Sequence, residues 1–311
     1  MWDDPRASNR ARPSEEIDVP RLTTNPRPVA FADIDPRIVG LARDAARLHP
    51  RPGSPSVLES SVGGPMLWPA DEPWPLCPGD HAFDQDGPDP LPLIAGVQVY
   101  LRDAPSLPHP PGVDLLQMMW CPTLGIEADD HTADGHLQVF WRASSDVKAV
   151  LADPPAPPPE RVWTEIVPAR CVVNPEQITE YPTTDWLPAE LVEAVQRCEA
   201  LGEDPAYTYN MLAVAQGIKV GGWAGSASFW GPAGPDYFRC ECGAALDALI
   251  QLDDEWDGTE TWRPIEDAGK TSYADRRLSQ LAADLDIGRG YALQTYYCTA
   301  DWTHPIARYM Q

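Results

Sequence analysis

Cysteine and histidine are the residues of this chain most able to bind metals or to catalyse reactions. Cys240 and Cys242 form the closest pair, and Cys298 could join them if the strands that carry these residues are neighbours. Structural zinc takes four ligands in a tetrahedron, usually from Cys-x-x-Cys pairs, so a lone Cys-x-Cys pair fits it less well. We therefore expect no cofactor, and zinc bound by Cys240, Cys242 and Cys298 is the alternative.

A sparser set of the same residue types lies earlier in the chain. His81 follows shortly after Cys77, and Cys121 lies further along. No second close cysteine pair accompanies them. Isolated cysteines also pack well as small buried hydrophobic residues, which is the simpler interpretation.

The sequence contains none of the common catalytic motifs. There is no Gly-x-Ser-x-Gly, no His-Glu-x-x-His and no glycine-rich loop in a phosphate-binding context. The six histidines stand beside Pro, Asp or Gly in predicted loops, and no feature marks one of them as a general base. The sequence therefore favours a protein that works by binding. In the enzyme alternative, the reactive groups would be Cys240, Cys242 or His81.

Two acidic segments suggest calcium, and neither satisfies its requirements. The segment from Asp253 to Gly258 is similar to the start of an EF-hand loop, but the twelfth position is Pro264, which cannot supply a bidentate carboxylate. The segment from Glu127 to His136 mixes carboxylates and imidazoles, and loop acids at this density are usually solvated. We expect no calcium site.

Aromatic residues and paired glycines are the candidates for ligand binding. The chain has 12 tryptophans, and four of them follow two Val-Gly-Gly turns. These rings could line a cleft that stacks on a sugar, base or peptide, or they could fill the core between two sheets. The glycines permit close backbone approach, either to a ligand or in a tight chain reversal. The candidate residues are Trp68, Trp74, Trp223, Trp230, Gly63, Gly64, Gly221 and Gly222.

The same order of landmarks occurs twice, which predicts an internal duplication. A Val-Gly-Gly turn is followed by tryptophan, by cysteine, by an apolar run with glutamine, and by Leu-Gln with cysteine four residues after the glutamine. If the repeats superpose, Gln117 should overlay Gln294 and Cys121 should overlay Cys298. A ligand site would then lie at the junction of the repeats.

The predicted elements favour an α+β fold with two similar antiparallel or mixed sheets. Apolar runs rich in β-branched residues predict strands. Helical spacing of apolar residues predicts three helices. The strands are predicted at 91–101, 113–120, 136–141 and 163–173, and the helices at 35–48, 188–201 and 272–285.

The domain organisation follows from these elements. Residues 1–30 are predicted to form an N-terminal tail, and residues 31–311 a single domain. That domain contains repeats at about 55–150 and 205–311, joined by a proline-rich link and a helix.

The net charge of the chain limits which partners it can bind. The chain has 23 basic and 47 acidic residues, a net charge of −24. Such a chain repels nucleic-acid phosphates and anionic membranes, and it attracts a basic protein. The simpler interpretation of the acidic charge is that it keeps the protein in solution. With no signal-peptide pattern and no run of about 20 apolar residues, we expect a cytoplasmic protein with reduced thiols.

These landmarks resemble the YwqG-like family, most closely its actinobacterial branch. The resemblance covers roughly residues 55–311. It is carried by motifs that occur in order, at 61–64, 68–77, 218–223, 240–243, 249–251 and 288–294.

The resemblance implies a cytoplasmic, duplicated α+β fold, and by association with toxin loci an immunity-type role. Together with the charge, it leads us to expect a protein that binds and neutralises a basic toxin or effector. A small-ligand module with an aromatic cleft is the alternative. Two departures matter: Cys240 and Cys242 replace a Cys-x-x-Cys pair, and the Gly-Trp-Pro-x-Trp-x-Gln motif is lost after Gly222.

Overall fold

The structure is a computed structural model. It describes residues 21–78, 90–123, 136–198, 201, 208–225, 236–254, 256, 261–287 and 291–310.

Two six-stranded antiparallel sheets form the molecule. The strands of the first sheet, in the order in which they lie side by side, are β2 (Arg51–Pro52), β7 (Cys171–Val172), β3 (Ser61–Val62), β4 (Ile94–Tyr100), β5 (Leu115–Trp120) and β6 (Leu137–Arg142). Those of the second sheet are β8 (Glu176–Glu180), β1 (Arg43–Arg47), β9 (Lys219–Gly221), β10 (Leu246–Leu252), β11 (Leu293–Cys298) and β12 (Ala307–Met310). The predicted α+β class with two similar sheets is confirmed.

The two sheets agree in register as well as in strand order. Gln98 of β4 stands opposite Gln117 of β5. At the same place in the second sheet, Gln251 of β10 stands opposite Gln294 of β11. Gln117 and Gln294 therefore occupy equivalent strand positions, and so do Cys121 and Cys298, each four residues further along.

Each sheet also includes one strand from the other half of the chain. We name residues 43–142 the first half and residues 171–310 the second half. Strand β1 of the first half lies between β8 and β9 of the second, and β7 of the second half lies between β2 and β3 of the first. This reciprocal exchange ties the halves together. The repeat boundaries at 55–150 and 205–311 stay a prediction.

The helices are short. They are α1 (Phe31–Ile34), α2 (Pro36–Val39), α3 (Ala189–Gln196), α4 (Tyr209–Ala213) and α5 (Tyr273–Leu278). Short 3-10 turns occupy Ser144–Asp146, Pro159–Arg161, Thr164–Ile166 and Ile265–Asp267. In the part of the chain that the structure describes, no helix has the length and apolar content needed to cross a bilayer.

The predicted helix over 35–48 is wrong beyond its first turn. Asp35 does cap a helix, since its side chain accepts from the Arg37 amide. That helix ends at Val39, and Ala45 and Leu48 belong to or follow strand β1. Pairing of β1 with neighbours on both edges satisfies its backbone groups, and this outweighs the helical spacing of its apolar residues.

The main core lies between the sheets. Apolar side chains of both sheets form one buried cluster, which includes Val97, Met118 and Trp120 from the first sheet and Val220 and Ile250 from the second. Burial of apolar area on this scale is the main stabilising contribution to the fold. The sheets thus hold their hairpin ends, and the cysteines on them, in fixed positions.

Candidate metal centre

Four side chains meet at one end of the second sheet. They are Cys240, Cys242, Cys298 and His304, and we name them the surface cluster. Their ligand atoms all lie within 4.8 Å of one another. His304 Nδ1 is 3.4 Å from the sulfurs of Cys240 and Cys298, and the sulfurs of Cys242 and Cys298 are 3.6 Å apart.

These separations agree with tetrahedral zinc. Zinc–sulfur bonds of about 2.3 Å place two sulfurs about 3.8 Å apart, and a sulfur and a nitrogen about 3.6 Å apart. The measured separations are 3.6 Å between sulfurs and 3.4 Å between sulfur and nitrogen. Only small movements would be needed for these atoms to bind one ion.

Local hydrogen bonds position each member of the surface cluster. Cys298 ends strand β11. The turn that carries Cys240 and Cys242 closes through the Cys240 amide, which donates to Ala244 O at 2.9 Å. His304 lies in the turn after β11, where Asp301 Oδ1 accepts from the amide and hydroxyl of Thr303, both at 2.8 Å.

The thiols of this cluster differ in acidity. Burial favours the neutral thiol of Cys298, but backbone amides at Ala300 and Asp301 and the His304 ring act against it, and the pKa of Cys298 falls to about 6. Burial raises the pKa of Cys240 to about 11. The bond with Cys298 raises the pKa of His304. In the ion-free cluster, Cys298 therefore ionises at lower pH than Cys240.

The surface cluster borders solvent. Cys298 is buried, Cys240 and His304 are half-buried, and Cys242 is exposed. A cavity of about 260 Å³ opens beside them and is also lined by Glu241. An ion could enter from this side.

A second group of ligand-type side chains lies at the corresponding end of the first sheet. Cys77, Cys121 and His136 bring their ligand atoms within 4.8 Å of one another, and we name them the core cluster. All three are buried. The hydrogen bond with Cys77, reinforced by burial, raises the pKa of Cys121 well above its usual range.

The sequence pointed to the five cysteines of the two clusters and to only part of their grouping. It linked Cys240, Cys242 and Cys298, and it paired Cys77 with His81, which lies outside the described residues. It did not single out His304 or His136. Their positions opposite the ends of β11 and β5 are set by hairpin register, which the sequence does not reveal without the strand pairing.

The predicted tryptophan cleft is not assembled as one set among the described residues. Trp68 and Trp74 pack together, with ring centroids 5.3 Å apart, in a hydrophobic cluster of the first half. Trp223 packs in a different cluster, with the Arg43 guanidinium 3.6 Å above its ring. Trp230 lies outside the described residues. The ligand role of these rings stays a prediction.

The glycine turns do make close contacts, and these contacts are with other parts of the protein. A Cβ on Gly63 would lie 2.6 Å from Ala169 O, and one on Gly221 would lie 2.5 Å from Ser106 O. Gly64 and Gly222 also have positive φ. These approaches give all the turn glycines a structural reason, and a role in ligand binding stays untested.

Two further cavities lie outside the clusters. One, of about 410 Å³, is lined by both acidic and apolar side chains; the acids are Glu165, Asp253, Asp254, Asp284 and Asp286. The other, of about 310 Å³, is lined by Trp186, Trp223 and Tyr296 together with the Arg43–Asp247 ion pair. The rest of the acidic segment 253–258 is only partly described, and residues 127–135 lie outside the described part.

Comparison with known proteins assigns no relationship. No protein-family model matches the chain, and no curated protein matches it. The resemblance to the YwqG-like family stays a prediction.

Proposed function

We propose that this chain is a non-catalytic binding protein stabilised by a structural zinc ion at the surface cluster. The observation that carries the proposal is the meeting of Cys240, Cys242, Cys298 and His304, whose ligand atoms all lie within 4.8 Å. Thiolate and imidazole are the ligands that zinc prefers, and magnesium and calcium prefer oxygen. Four protein ligands leave no open position for a substrate, which supports a structural role.

The ion would join three chain segments, in addition to the pairing of β10 with β11 and of β11 with β12. It would join the turn at Cys240 and Cys242 to the end of β11 at Cys298 and to the turn at His304. Cross-links of this kind contribute to folding free energy directly, because the unfolded chain does not hold the ligands together.

Zinc content tests the proposal. Protein loaded with zinc under reducing conditions and freed of excess should retain the ion, and Cys240→Ser and His304→Gln should each lower the retained amount by about one ion per chain. Cys198→Ser is the matched control, since Cys198 is half-buried and belongs to neither cluster. Zinc content that is the same in Cys240→Ser as in Cys198→Ser would refute a site at the surface cluster.

The partner proposed for this protein is basic. A net charge of −24 favours it, and so does the acidic cavity formed in part by Glu165, Asp253 and Asp286. Neutralisation of a basic toxin is the form of this role that we propose. The rate at which this chain associates with its basic partner should fall steeply as ionic strength rises, because exposed charges are screened beyond about 8 Å at physiological salt. An affinity with no salt dependence would contradict it.

The aromatic cavity at Trp223 supports a second function, small-ligand binding. Trp186, Trp223 and Tyr296 offer ring faces, and the Arg43–Asp247 pair offers polar groups at the same cavity. A thermal-shift screen of planar ligands should give shifts that Trp223→Ala removes. Trp163→Ala is the control because Trp163 is exposed elsewhere on the chain. Equal responses of the two variants would exclude this cavity as the site.

A further inference from the structure

The core cluster matches the surface cluster in backbone position. Leu76 forms an isolated bridge with Pro92, and the next residue, Cys77, donates its amide to Leu91 O at 2.8 Å. In the second half, Arg239 bridges Ala245, and the next residue, Cys240, donates to Ala244 O at 2.9 Å. The same pattern of hydrogen bonds therefore places Cys77 and Cys240 at equivalent points.

The other ligands correspond as well. Cys121 and Cys298 occupy equivalent positions after the paired glutamines. The Cys121 amide donates to His136 O at 2.7 Å, so the histidine enters the cluster from the strand paired with the cysteine. His304 likewise precedes β12, the strand paired with β11. Both clusters thus take ligands from the same three segments of the duplicated unit.

The clusters differ in one ligand and in solvent access. The short turn of the second half adds Cys242, which has no counterpart among the described residues of the longer 78–90 connection. Cys77 and Cys121 are 0% exposed and His136 is 8% exposed, among apolar neighbours that include Leu93 and Met119.

We propose that Cys77, Cys121 and His136 form a second metal site, one that binds a divalent soft ion such as zinc. The burial of the site decides the ion's charge. Two thiolates and a neutral imidazole balance a divalent cation, so the complex carries no net charge into the apolar interior, where unbalanced charge is costly. A monovalent ion with two thiolates would leave one negative charge there. Thiolate and imidazole disfavour magnesium and calcium.

Three protein ligands leave one coordination position on a tetrahedral ion. A zinc ion at the core cluster would complete its coordination with a water molecule or another small ligand. The Thr123 hydroxyl lies 3.2 Å from the Cys121 sulfur. This site is independent of the proposed site at the surface cluster and can exist without it.

Metal analysis of paired variants tests the proposal. Wild-type protein loaded with zinc should retain about two ions per chain, and Cys77→Ser and Cys240→Ser should each retain about one. Cys171→Ala, at a buried cysteine outside both clusters, is the control for loss of a buried thiol. If wild type retains only one ion, and this ion is lost in Cys240→Ser and kept in Cys77→Ser, the core site alone is refuted. One ion with the opposite dependence would refute the surface site alone, and no ion in wild type would refute both.

Cobalt(II) gives a readout on wild-type protein that does not depend on the folding of a variant. Sulfur-to-cobalt charge-transfer absorption increases with the number of cobalt–thiolate bonds, and the two sites together supply about five of these. Titration should reach its endpoint near two cobalt ions, with the second ion adding a smaller increment. An endpoint near one ion, with the absorption of three thiolates, would overturn the core site and retain the surface one.

Discussion

At the start of its glycine turn, the second half buries Lys219, whereas the first half places Ser61 at the same register position. Lys219 stands opposite Gln251, as Ser61 stands opposite Gln98. The lysine is only 1% exposed and donates to Glu180 Oε2 at 2.9 Å. Equivalent backbone positions thus carry an ion pair in one half and a hydroxyl in the other.

The clusters show the same contrast in reverse. The second half, which buries an ion pair, has a cysteine–histidine cluster that borders solvent through the exposed Cys242, whereas all three members of the first half's cluster are buried. Duplication fixes where the side chains stand, because strand pairing and hairpin bridges are repeated. The surroundings of each half then determine which charge those side chains can carry.

The largest predicted effect comes from breaking the buried ion pair. Glu180 accepts from Lys219 Nζ and also from the amides of Ala215 and Trp223, each at 2.8 Å. Glu180→Gln leaves Lys219 without its counter-charge, so the free energy of unfolding should fall by about 3–5 kcal/mol in urea denaturation. The half-exposed pair of Arg43 and Asp247 supplies the control, since Asp247→Asn should cost about 1 kcal/mol or less.

The double variant sharpens this test. Glu180→Gln combined with Lys219→Met removes both charges, and an apolar replacement for a buried pair is often nearly neutral. Its stability should recover much of the loss in the single variant. If Glu180→Gln lowers the free energy of unfolding no more than Asp247→Asn does, the buried ion pair at the second glycine turn contributes no more to stability than an exposed pair.

Removal of metal should come next in size. A ligand present at 100 to 1,000 times its dissociation constant stabilises the folded state by about 3–4 kcal/mol, and chelation should remove that contribution. Thermal denaturation with and without a chelator measures it. Cys240→Ser should respond less to the chelator than wild type does, whereas Cys198→Ser should respond equally.

The kinetics of metal release would separate the two clusters. Cys242 is exposed, so a chelator should remove the ion at the surface cluster in a fast phase. Cys77 and Cys121 are fully buried, and release from the core cluster requires local opening, which makes it slow. Cys240→Ser should abolish the fast phase and Cys77→Ser the slow one. A single phase in wild type would mean that the clusters do not differ in access.

The sequence predicted which residues stand at equivalent strand positions better than it predicted which strands pair with each other. The repeated Leu-Gln and cysteine pattern placed Gln117 and Gln294 on equivalent strands, because a repeated sequence folds into a repeated unit. It did not reveal that β1 and β7 are exchanged between sheets. Strand exchange is decided by pairing across the whole chain, and local apolar spacing around Ala45 indicated a helix instead.

The candidate site was predictable only in part for a similar reason. Cys240 and Cys242 are close in sequence, and their pairing with Cys298 followed from adjacent strands. His304 and His136 are separated from Cys298 and Cys121 in the sequence, and residue spacing alone does not show that they meet. A search for a histidine shortly before the strand that follows each cysteine would have found both.

A smaller effect is expected at the glycine turns. Ala at Gly63 or Gly221 combines positive φ with a carbonyl oxygen closer than 3 Å, whereas Gly112 has positive φ with open space around it. Backbone strain costs about 1–3 kcal/mol, and the steric clash adds to it at the turns only. Both turn variants should therefore be less stable than Gly112→Ala in urea denaturation. Equal losses at all three positions would show that these close contacts contribute little to stability.

The last predicted effect is the pH dependence of the metal-free protein. The Cys298 thiol has a pKa of about 6 in the folded state, below its ordinary value of 9.0. Between these values the unfolded state binds more protons, so stability should rise with pH across the window and be lost as pH falls through 6. His304, whose pKa is raised, acts with the opposite sign, since its contribution is present below its ordinary value of 6.5 and is lost as pH rises.

The net slope should therefore be small near pH 6 and positive towards pH 9. Chelated wild-type protein and Cys298→Ser, compared by urea denaturation at several pH values, isolate the contribution of this thiol, and Cys198→Ser serves as the control. Cys121 of the core cluster should add no such rise, because its pKa is raised: its thiol stays protonated in both states until pH approaches 9.0, where its contribution has the opposite sign. An unchanged slope in Cys298→Ser would assign the pH dependence to other groups and remove this distinction between the two clusters.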